Sequence, residues 1–144
     1  MSDTPTARET AALVDLMWLV MRRIWDHAEE RLAPYSLSLK HNWALHALDE
    51  PMSMSALADR LGIDASYVTA IADQLEERGL IERQTHPTDR RIKSLVLTVE
   101  GRQLREKLAE ELWVEVPILD ALTAAERREL WRMLSRTVDT TSEG

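Results

Sequence analysis

The fold of this 144-residue chain is decided by residues 53–101, which read SMSALADRLGIDASYVTAIADQLEERGLIERQTHPTDRRIKSLVLTVEG. Two short helical patterns come first, and a basic hairpin follows them. Ser53 is placed to cap the first helix, and Gly62, which adopts the left-handed conformation without strain, is placed to end it. Asp64 is placed to cap the second helix. The stretch therefore predicts two helices joined by a tight turn.

Apolar residues recur three and four positions apart in both helical patterns, which gives each helix one buried face. The buried positions are Leu57, Ala58 and Leu61 in the first helix, and Val68, Ile71, Ala72 and Leu75 in the second. The second helix, about 65–77, then has an outward face. Its members are Ser66, Tyr67, Thr69, Ala70, Asp73 and Gln74.

After Gly79, the runs 80–83 and 94–97 predict two strands of a hairpin. Their loop contains His86, Pro87, Thr88 and Asp89, and the hairpin carries the cations Arg83, Arg90, Arg91 and Lys93. A basic tip of this kind suits a phosphate backbone. Two helices followed by such a hairpin are the layout of a winged helix-turn-helix.

The charge of the chain is unevenly distributed. The formal net charge is -7, yet residues 78–107 hold eight Arg or Lys and four Asp or Glu, a local balance of +4 that leaves -11 elsewhere. Such asymmetry suits a protein that meets DNA with one face. The alternative reading of the hairpin is a solvated charged surface.

The hairpin sequence resembles the wing of MarR-type transcriptional regulators, because Asp89, Arg90 and Arg91 are followed by LVLTVEG at 95–101. The helices agree with that family. The matching residues there are Leu57, Ala58, Leu61, Gly62, Val68, Thr69, Asp73, Leu75, Glu76, Gly79 and Leu80. The resemblance extends more weakly over nearly the whole chain.

This resemblance implies that the second helix enters the major groove of DNA while the hairpin tip reaches a neighbouring minor groove. The implied DNA-binding residues are Ser66, Tyr67, Thr69, Ala70, Gln74, Arg83, Arg90, Arg91 and Lys93. Asp89 would pair with an arginine and shape the wing. Relatives often carry a basic residue where this chain has Ala70, so we expect little direct base reading at that position.

Helical patterns flank this core on both sides. Residues 10–30 are apolar on two faces, Leu104, Leu108 and Leu112 repeat until Pro117 breaks or kinks the pattern, and Thr123 begins a capping box. We therefore expect a mainly α fold with a small β-hairpin, forming a single domain over 1–144. The winged helix-turn-helix would span about 53–100, between flanking helices at about 8–32 and 101–139.

The surplus apolar surface of the flanking helices favours a second copy of the chain as partner. MarR-like proteins are dimers whose terminal helices intertwine, which implies the same role here. Candidate interface residues are Leu13, Leu16, Val20, Leu112, Trp113, Leu130 and Leu134. A twofold dimer should read an inverted repeat in double-stranded DNA, with half-sites about one helical turn apart.

The family also commonly binds small, often aromatic or anionic molecules between its dimerisation helices and its DNA reader. Candidate pocket residues are Trp18, Met21, Trp25, His41, Asn42 and His46. The alternative is that the tryptophans pack in a core or interface and that Asn42 faces solvent. Two histidines five residues apart are poorly spaced as helical ligands, so we expect no metal and no cofactor.

Other classes of protein are disfavoured by what the sequence lacks. The chain has no cysteine and four glycines, so disulfides and thiol sensing are excluded and a glycine-rich phosphate loop is missing. No nucleophile-elbow serine is present, so we expect no enzyme. Apolar runs too short to span a bilayer, and a start without a signal peptide, predict a cytoplasmic protein.

The expected function is a homodimeric, sequence-specific DNA-binding transcriptional regulator, specifically a repressor released by a small ligand. The alternative is a winged-helix module that docks proteins without specific DNA binding. The basic hairpin discriminates between them, because a docking module does not need Arg90, Arg91 and Lys93 together at its tip. The operator sequence, the effector, the regulated genes and the sign of regulation are not readable from these residues.

Overall fold

The computed structural model describes residues 4–85 and 88–139, which form a mainly α-helical fold with a small antiparallel sheet, as the sequence predicted. A short 3-10 helix, Ala33–Tyr35, follows the first α-helix. The elements in chain order are α1 (Ala7–Leu32), α2 (Leu39–Ala47), β1 (Met52–Ser53), α3 (Met54–Leu61), α4 (Ala65–Glu77), β2 (Ile81–Thr85), β3 (Lys93–Leu97), α5 (Val99–Glu111), α6 (Pro117–Asp120) and α7 (Ala124–Asp139).

The chain divides into two compact units. The central unit spans 28–113, and the terminal unit combines, among the described residues, 4–27 with 114–139. The winged helix-turn-helix predicted at 53–100 lies inside the central unit, which also includes α2 and α5. Helix α5 was expected to belong to the flanking dimerisation segment, but its buried Leu108 is part of the central core.

The helix-turn-helix forms as its capping residues predict. The hydroxyl of Ser53 accepts a hydrogen bond from the backbone N–H of Ala56 at 3.1 Å, and Gly62 ends α3 with φ of 63°. Asp64 caps α4, whose apolar stripe is buried in the core. Because that stripe faces inward, the orientation of the opposite face of α4 is fixed relative to the central unit.

The sheet has three strands rather than the two of the expected hairpin. Its order is β1-β3-β2, all neighbours are antiparallel, and Met52 of β1 pairs with Leu95 of β3. A strand of two residues is too short to show the alternation by which strands are recognised in a sequence. The hairpin strands run to Thr85 and begin at Lys93, slightly beyond the predicted bounds, and His86 and Pro87 of the loop lie outside the described residues.

The start of α5 is packed tightly against residues 79–80, which follow α4. The hydroxyl of Thr98 accepts from the N–H of Gly101 at 3.0 Å and donates to the carbonyl of Gly79 at 2.6 Å. The N–H of Thr98 donates to the carbonyl of Leu80 at 3.1 Å. The helix ends at Glu111, before Pro117, and the chain then passes through Glu115 at a φ of 54°. Pro117 begins α6.

The terminal unit is helical and exposes much apolar surface. Thr123 and Glu126 form the predicted capping box, with the Thr123 N–H donating to Glu126 Oε2 at 2.7 Å and the Glu126 N–H donating to Thr123 Oγ1 at 3.2 Å. A similar exchange joins Thr6 and Glu9 at the start of α1. Within the described part of the chain, no helix has the length and apolar character that crossing a membrane requires.

The packing of Gly101 predicts a stability defect. A Cβ at this position would overlap the carbonyl oxygen of Leu80 and press on the side chain of Leu97. We expect Gly101→Ala to lower the free energy of unfolding by roughly 1–3 kcal/mol in urea titrations, because overpacking forces the backbone apart. Gln103→Ala, at an exposed site in the same helix, is the control, and its free energy of unfolding should stay within about 0.5 kcal/mol of that of the wild type. Equal free energies of unfolding for the two variants would contradict the overpacking of Gly101→Ala.

Candidate nucleic-acid interface

Helix α4 carries the predicted recognition surface on its solvent side. Val68, Ile71, Ala72 and Leu75 are buried beneath it. All five residues of α4 that the sequence predicted to bind DNA are exposed, namely Ser66, Tyr67, Thr69, Ala70 and Gln74. The helix is therefore held by one face and presents the other, and we call it the recognition helix.

The hydroxyl groups at the start of the recognition helix are bound to the helix itself. Ser66 donates its hydroxyl and its backbone N–H to Asp64 Oδ1, at 2.6 and 2.8 Å, and these two bonds hold the pKa of Asp64 below its ordinary value. The Thr69 hydroxyl donates to the carbonyl of Ala65 at 3.0 Å. Because the hydroxyl protons of Ser66 and Thr69 are both donated within the helix, their oxygens present lone pairs to solvent as hydrogen-bond acceptors.

Helix α2 contributes two residues beside the recognition helix. The ammonium of Lys40 lies 4.0 Å from the centroid of the Tyr67 ring, a cation–π arrangement. The Nε2 of His41 lies 2.6 Å from Oε1 of Gln74. Lys40 was not predicted from the sequence and His41 was predicted to line a ligand pocket, because contacts made by packing α2 on α4 leave no local pattern in the sequence.

Arg83 of β2, which the sequence predicted to contact DNA, forms ion pairs with the recognition helix. Its guanidinium donates to Asp73 Oδ1 at 2.5 Å and to Glu76 Oε1 at 2.6 Å. The hydrogen bond that Arg83 donates to Asp73, together with the charges of both carboxylates, raises the pKa of Arg83 above its ordinary value, against the opposing effect of burial. Arg83 therefore neutralises two acidic side chains of α4 that would repel phosphates.

The wing, residues 81–97, carries its cations at an exposed tip. Asp89 Oδ1 accepts a hydrogen bond from the backbone N–H of Arg91 at 2.9 Å and lies 3.6 Å from Arg91 Nε. The Arg91 side chain is nonetheless 94% exposed, and Arg90 and Lys93 are exposed as well. The acidic residue thus shapes the turn while the positive charges remain accessible.

An open groove of about 620 Å³ lies in the central unit. Its lining residues are Asn42, Trp43, His46, Ala47, Arg60, Leu61 and Trp113. Asn42 is 2% exposed, and its Oδ1 accepts no hydrogen bond from any residue that the structure describes. Partial burial of the ring, together with the charge of Arg105, lowers the pKa of His46, so Arg60 is the cation of this groove near neutral pH.

The six predicted pocket residues are distributed over both units. Asn42 and His46 line the groove, whereas His41 uses both ring nitrogens in hydrogen bonds with Ser38 and Gln74, and we remove it from the candidate pocket. The other three, Trp18, Met21 and Trp25, are exposed residues of the terminal unit. Among residues 4–85 and 88–139, no group of three or more His, Asp or Glu could hold a metal ion.

The predicted dimer-interface residues are mostly exposed in the single chain. Leu13, Leu16, Val20, Trp113 and Leu134 have large exposed fractions, and Leu130 is half-buried. Leu112 is the exception, because it is 1% exposed and packs in the core of the central unit. Leu108 and Leu112 of the leucine repeat therefore mark the buried face of α5 and its end.

The two ion pairs of Arg83 predict a salt-sensitive contribution to stability. We expect Arg83→Met to lower the free energy of unfolding by about 1 kcal/mol at low salt, and this deficit should shrink in 1 M salt. Arg90→Met removes an exposed cation of the same wing and should leave stability within about 0.5 kcal/mol of wild type. A loss for Arg83→Met no larger than that for Arg90→Met would show that the pairs do not stabilise the wing.

Comparison with known proteins agrees with this geometry. The model of the MarR family matches residues 45–93. A mutant of MarR from E. coli complexed with operator DNA is similar over 93% of this chain and 99% of its own, with 22% identity and a TM-score of 0.77. CouR from Rhodococcus jostii RHA1 bound to p-coumaroyl-CoA is similar over 83% of this chain and 86% of its own, with 25% identity and a TM-score of 0.69.

A third solved structure is more similar in sequence. The transcriptional regulator BldR from Sulfolobus solfataricus is 30% identical to this chain, and the match covers 92% of this chain and 99% of BldR with a TM-score of 0.73. The matched family model includes the recognition helix and most of the wing. On these grounds the chain belongs to the MarR family, whose members are DNA-binding transcriptional regulators.

Proposed function

We propose that this chain is a homodimeric, sequence-specific DNA-binding regulator, and that it acts as a repressor that a small aromatic or anionic ligand releases from its operator. The observation that carries the proposal is the joint exposure of the recognition helix and of the wing cations on the central unit. Regulators of the MarR family are not enzymes, so family membership points away from catalysis. E. coli MarR has been solved with operator DNA, which supports the DNA-binding part.

The recognition helix would enter the major groove, and its exposed polar residues would meet base edges or phosphates. Tyr67 and Gln74 offer an aromatic hydroxyl and an amide, while Ser66 and Thr69 offer hydroxyl oxygens. Ala70 has no polar group, so the base it faces would be read by apolar contact. Sequence preference is therefore expected to depend on few residues.

Affinity would come mainly from charges outside the recognition helix. That helix carries Asp73, Glu76 and Glu77, and the first two are neutralised by Arg83. Positive charge is supplied instead by the wing tip and by Lys40. A guanidinium from Arg90 or Arg91 would enter the minor groove, where narrow A·T-rich segments concentrate negative potential.

Dimerisation is supported by the apolar surface of the terminal unit. Trp18 is 62% exposed and Trp131 is 75% exposed, and further large apolar side chains of α1 and α7 are also exposed. So many exposed large apolar side chains on two helices favour burial of these helices against another chain. A twofold pair would present two recognition helices to an inverted repeat with half-sites about one helical turn apart.

Ligand response is supported by the groove of the central unit. Trp43 and Trp113 provide aromatic walls, Arg60 provides a positive charge, and the buried Asn42 Oδ1 offers an acceptor for a ligand hydroxyl. Arg60 already pairs with Asp49 at 3.1 Å, so an anion would compete with that carboxylate. CouR has been solved with p-coumaroyl-CoA, an aromatic and anionic molecule, which supports this chemistry.

The DNA-binding proposal is tested by the salt dependence of affinity. With a duplex that wild type selects, Arg91→Ala should weaken binding to all sequences and reduce the slope of log K against log salt by about one per contact, hence about two per dimer. Thr69→Ala should mainly alter sequence preference and leave that slope unchanged. Fluorescence anisotropy at several salt concentrations measures both quantities.

Arg128→Ala is the matched control, since it removes one exposed cation from α7 of the terminal unit. It should leave the slope at the wild-type value. Identical slopes for Arg91→Ala and wild type would refute the role of the wing tip. A wild type that binds every duplex weakly and equally would favour the protein-docking alternative.

The ligand proposal is tested by melting temperature and tryptophan fluorescence in a series of aromatic acids and phenols. A compound that binds should quench fluorescence and, at a hundredfold excess over Kd, stabilise the protein by about 2.7 kcal/mol. Asn42→Leu should remove this response while leaving stability unchanged or slightly higher, because an unsatisfied buried polar atom is replaced by an apolar group. Absence of quenching and of stabilisation across the series would rule out ligand response of this chemistry.

A further inference from the structure

The side chain of His41 connects α2 to the recognition helix through both ring nitrogens. Its Nδ1 lies 3.0 Å from the backbone nitrogen of Ser38 and 2.8 Å from the Ser38 hydroxyl oxygen. Its Nε2 lies 2.6 Å from Oε1 of Gln74. The imidazole therefore bridges the residue before α2 and an exposed polar side chain of α4.

The partner at Nδ1 determines where the ring proton lies. A backbone N–H can only donate, so Nδ1 must present its lone pair to Ser38, and in a neutral imidazole the proton is then on Nε2. That N–H requires an acceptor, which in the amide of Gln74 is the carbonyl oxygen. The orientation of the amide thus follows from hydrogen-bond chemistry, with Oε1 toward His41 and the amide nitrogen directed away from it.

A second contact restrains the same side of the recognition helix. Tyr67 and Gln74 are seven residues apart and lie on one face of α4. Lys40, which precedes His41, lies over the Tyr67 ring, and the N–H of Leu39 donates to Glu29 Oε1 at 2.9 Å. The first turn of α2 is therefore anchored at Leu39 and Lys40, the two residues that precede His41, which limits the freedom of the imidazole.

We propose that His41 makes Gln74 a hydrogen-bond donor in the reading of DNA, and thereby selects guanine over adenine at the base pair that Gln74 contacts. A free glutamine amide pairs with adenine by accepting from N6 and donating to N7. His41 occupies one lone pair of Oε1 and turns that oxygen toward α2, so the two N–H groups of the amide are directed away from His41, and guanine offers two acceptors, N7 and O6. His41 acts as a positioning residue, and the inference rests on the proposed DNA-binding function.

The test compares base preference in a double-mutant cycle of His41→Phe and Gln74→Ala. Phenylalanine retains an aromatic ring and removes both nitrogens. Affinities are measured for duplexes that carry each of the four base pairs at every half-site position. At the position where Gln74→Ala abolishes preference, His41→Phe should shift the guanine-to-adenine affinity ratio toward adenine by roughly tenfold. In the Gln74→Ala background, His41→Phe should not change that ratio.

Two further variants separate positioning from a general structural effect. His41→Gln keeps an N–H donor and should restore part of the guanine preference. Arg128→Ala removes an exposed cation of α7 in the terminal unit and should leave the ratio at the Gln74 position unchanged. Melting temperatures of all variants identify any that are unfolded, and the ratio itself is insensitive to a uniform loss of active protein.

The tautomer is measured without DNA. A long-range proton–nitrogen spectrum of the free protein should show the neutral His41 ring protonated on Nε2, and protonation on Nδ1 would overturn the proposal directly. An unchanged ratio in His41→Phe, or the same shift when Gln74 is absent, would also overturn it. If the wild-type protein shows no sequence preference, the proposed DNA-binding function is contradicted together with this inference. If the wild type is sequence-specific and His41→Phe has the same base preference, only this inference is contradicted.

Discussion

The burial of one face of α4 is the constraint on which the interface depends. Val68 and Leu75 are fully buried two turns apart, and Ile71 and Ala72 fill the space between them. Rotating or displacing this helix would expose the stripe, at a cost of roughly 1.5–3 kcal/mol for each large apolar side chain. Hydrophobic packing therefore determines which residues face solvent, and recognition chemistry is confined to the positions that packing leaves available.

Electrostatics then assigns separate tasks to neighbouring elements. The chain carries a net charge of -7, and its recognition helix is itself acidic near the C-terminal end. Arg83 offsets two of those carboxylates from β2, so the strand makes the helix compatible with a polyanion. At the exposed wing tip, Asp89 holds the turn and Arg91 extends into solvent, where we propose that it attracts phosphates. In this proposal, shielding and attraction are performed by different arginines of one hairpin.

Local signals made much of the fold predictable from the sequence. Ser53, Gly62 and Asp64 mark helix ends by their own chemistry, and apolar spacing identifies the buried faces. The features that escaped prediction arise from tertiary packing. Strand β1 is too short to carry a period, and the pairing of Arg83 with Asp73 joins residues ten positions apart on different elements.

The candidate site shows the same division between local and tertiary information. Exposure of the polar face of α4 follows from its period, whereas the contacts of Lys40 and His41 depend on how α2 packs against it. Leu112 shows a different case, because it was predicted at the dimer interface and is buried in the core of the single chain. A leucine repeat indicates that one face of a helix is buried, but it does not show whether the same chain or a second copy covers that face. The sequence and its resemblance to a family predicted the wing as a site, and the structure added the different contacts that its charged residues make.

The most direct test of the account is a selection of bound duplexes from a random-sequence library, performed with the wild-type protein in the presence of excess competitor DNA. The account predicts enrichment of an inverted repeat whose half-site centres are about 10 base pairs apart, with affinity that falls steeply as salt increases. A bound pool with no enriched sequence would contradict sequence-specific recognition by the exposed face of α4 and the wing. An enriched site without inverted symmetry would contradict the twofold dimer.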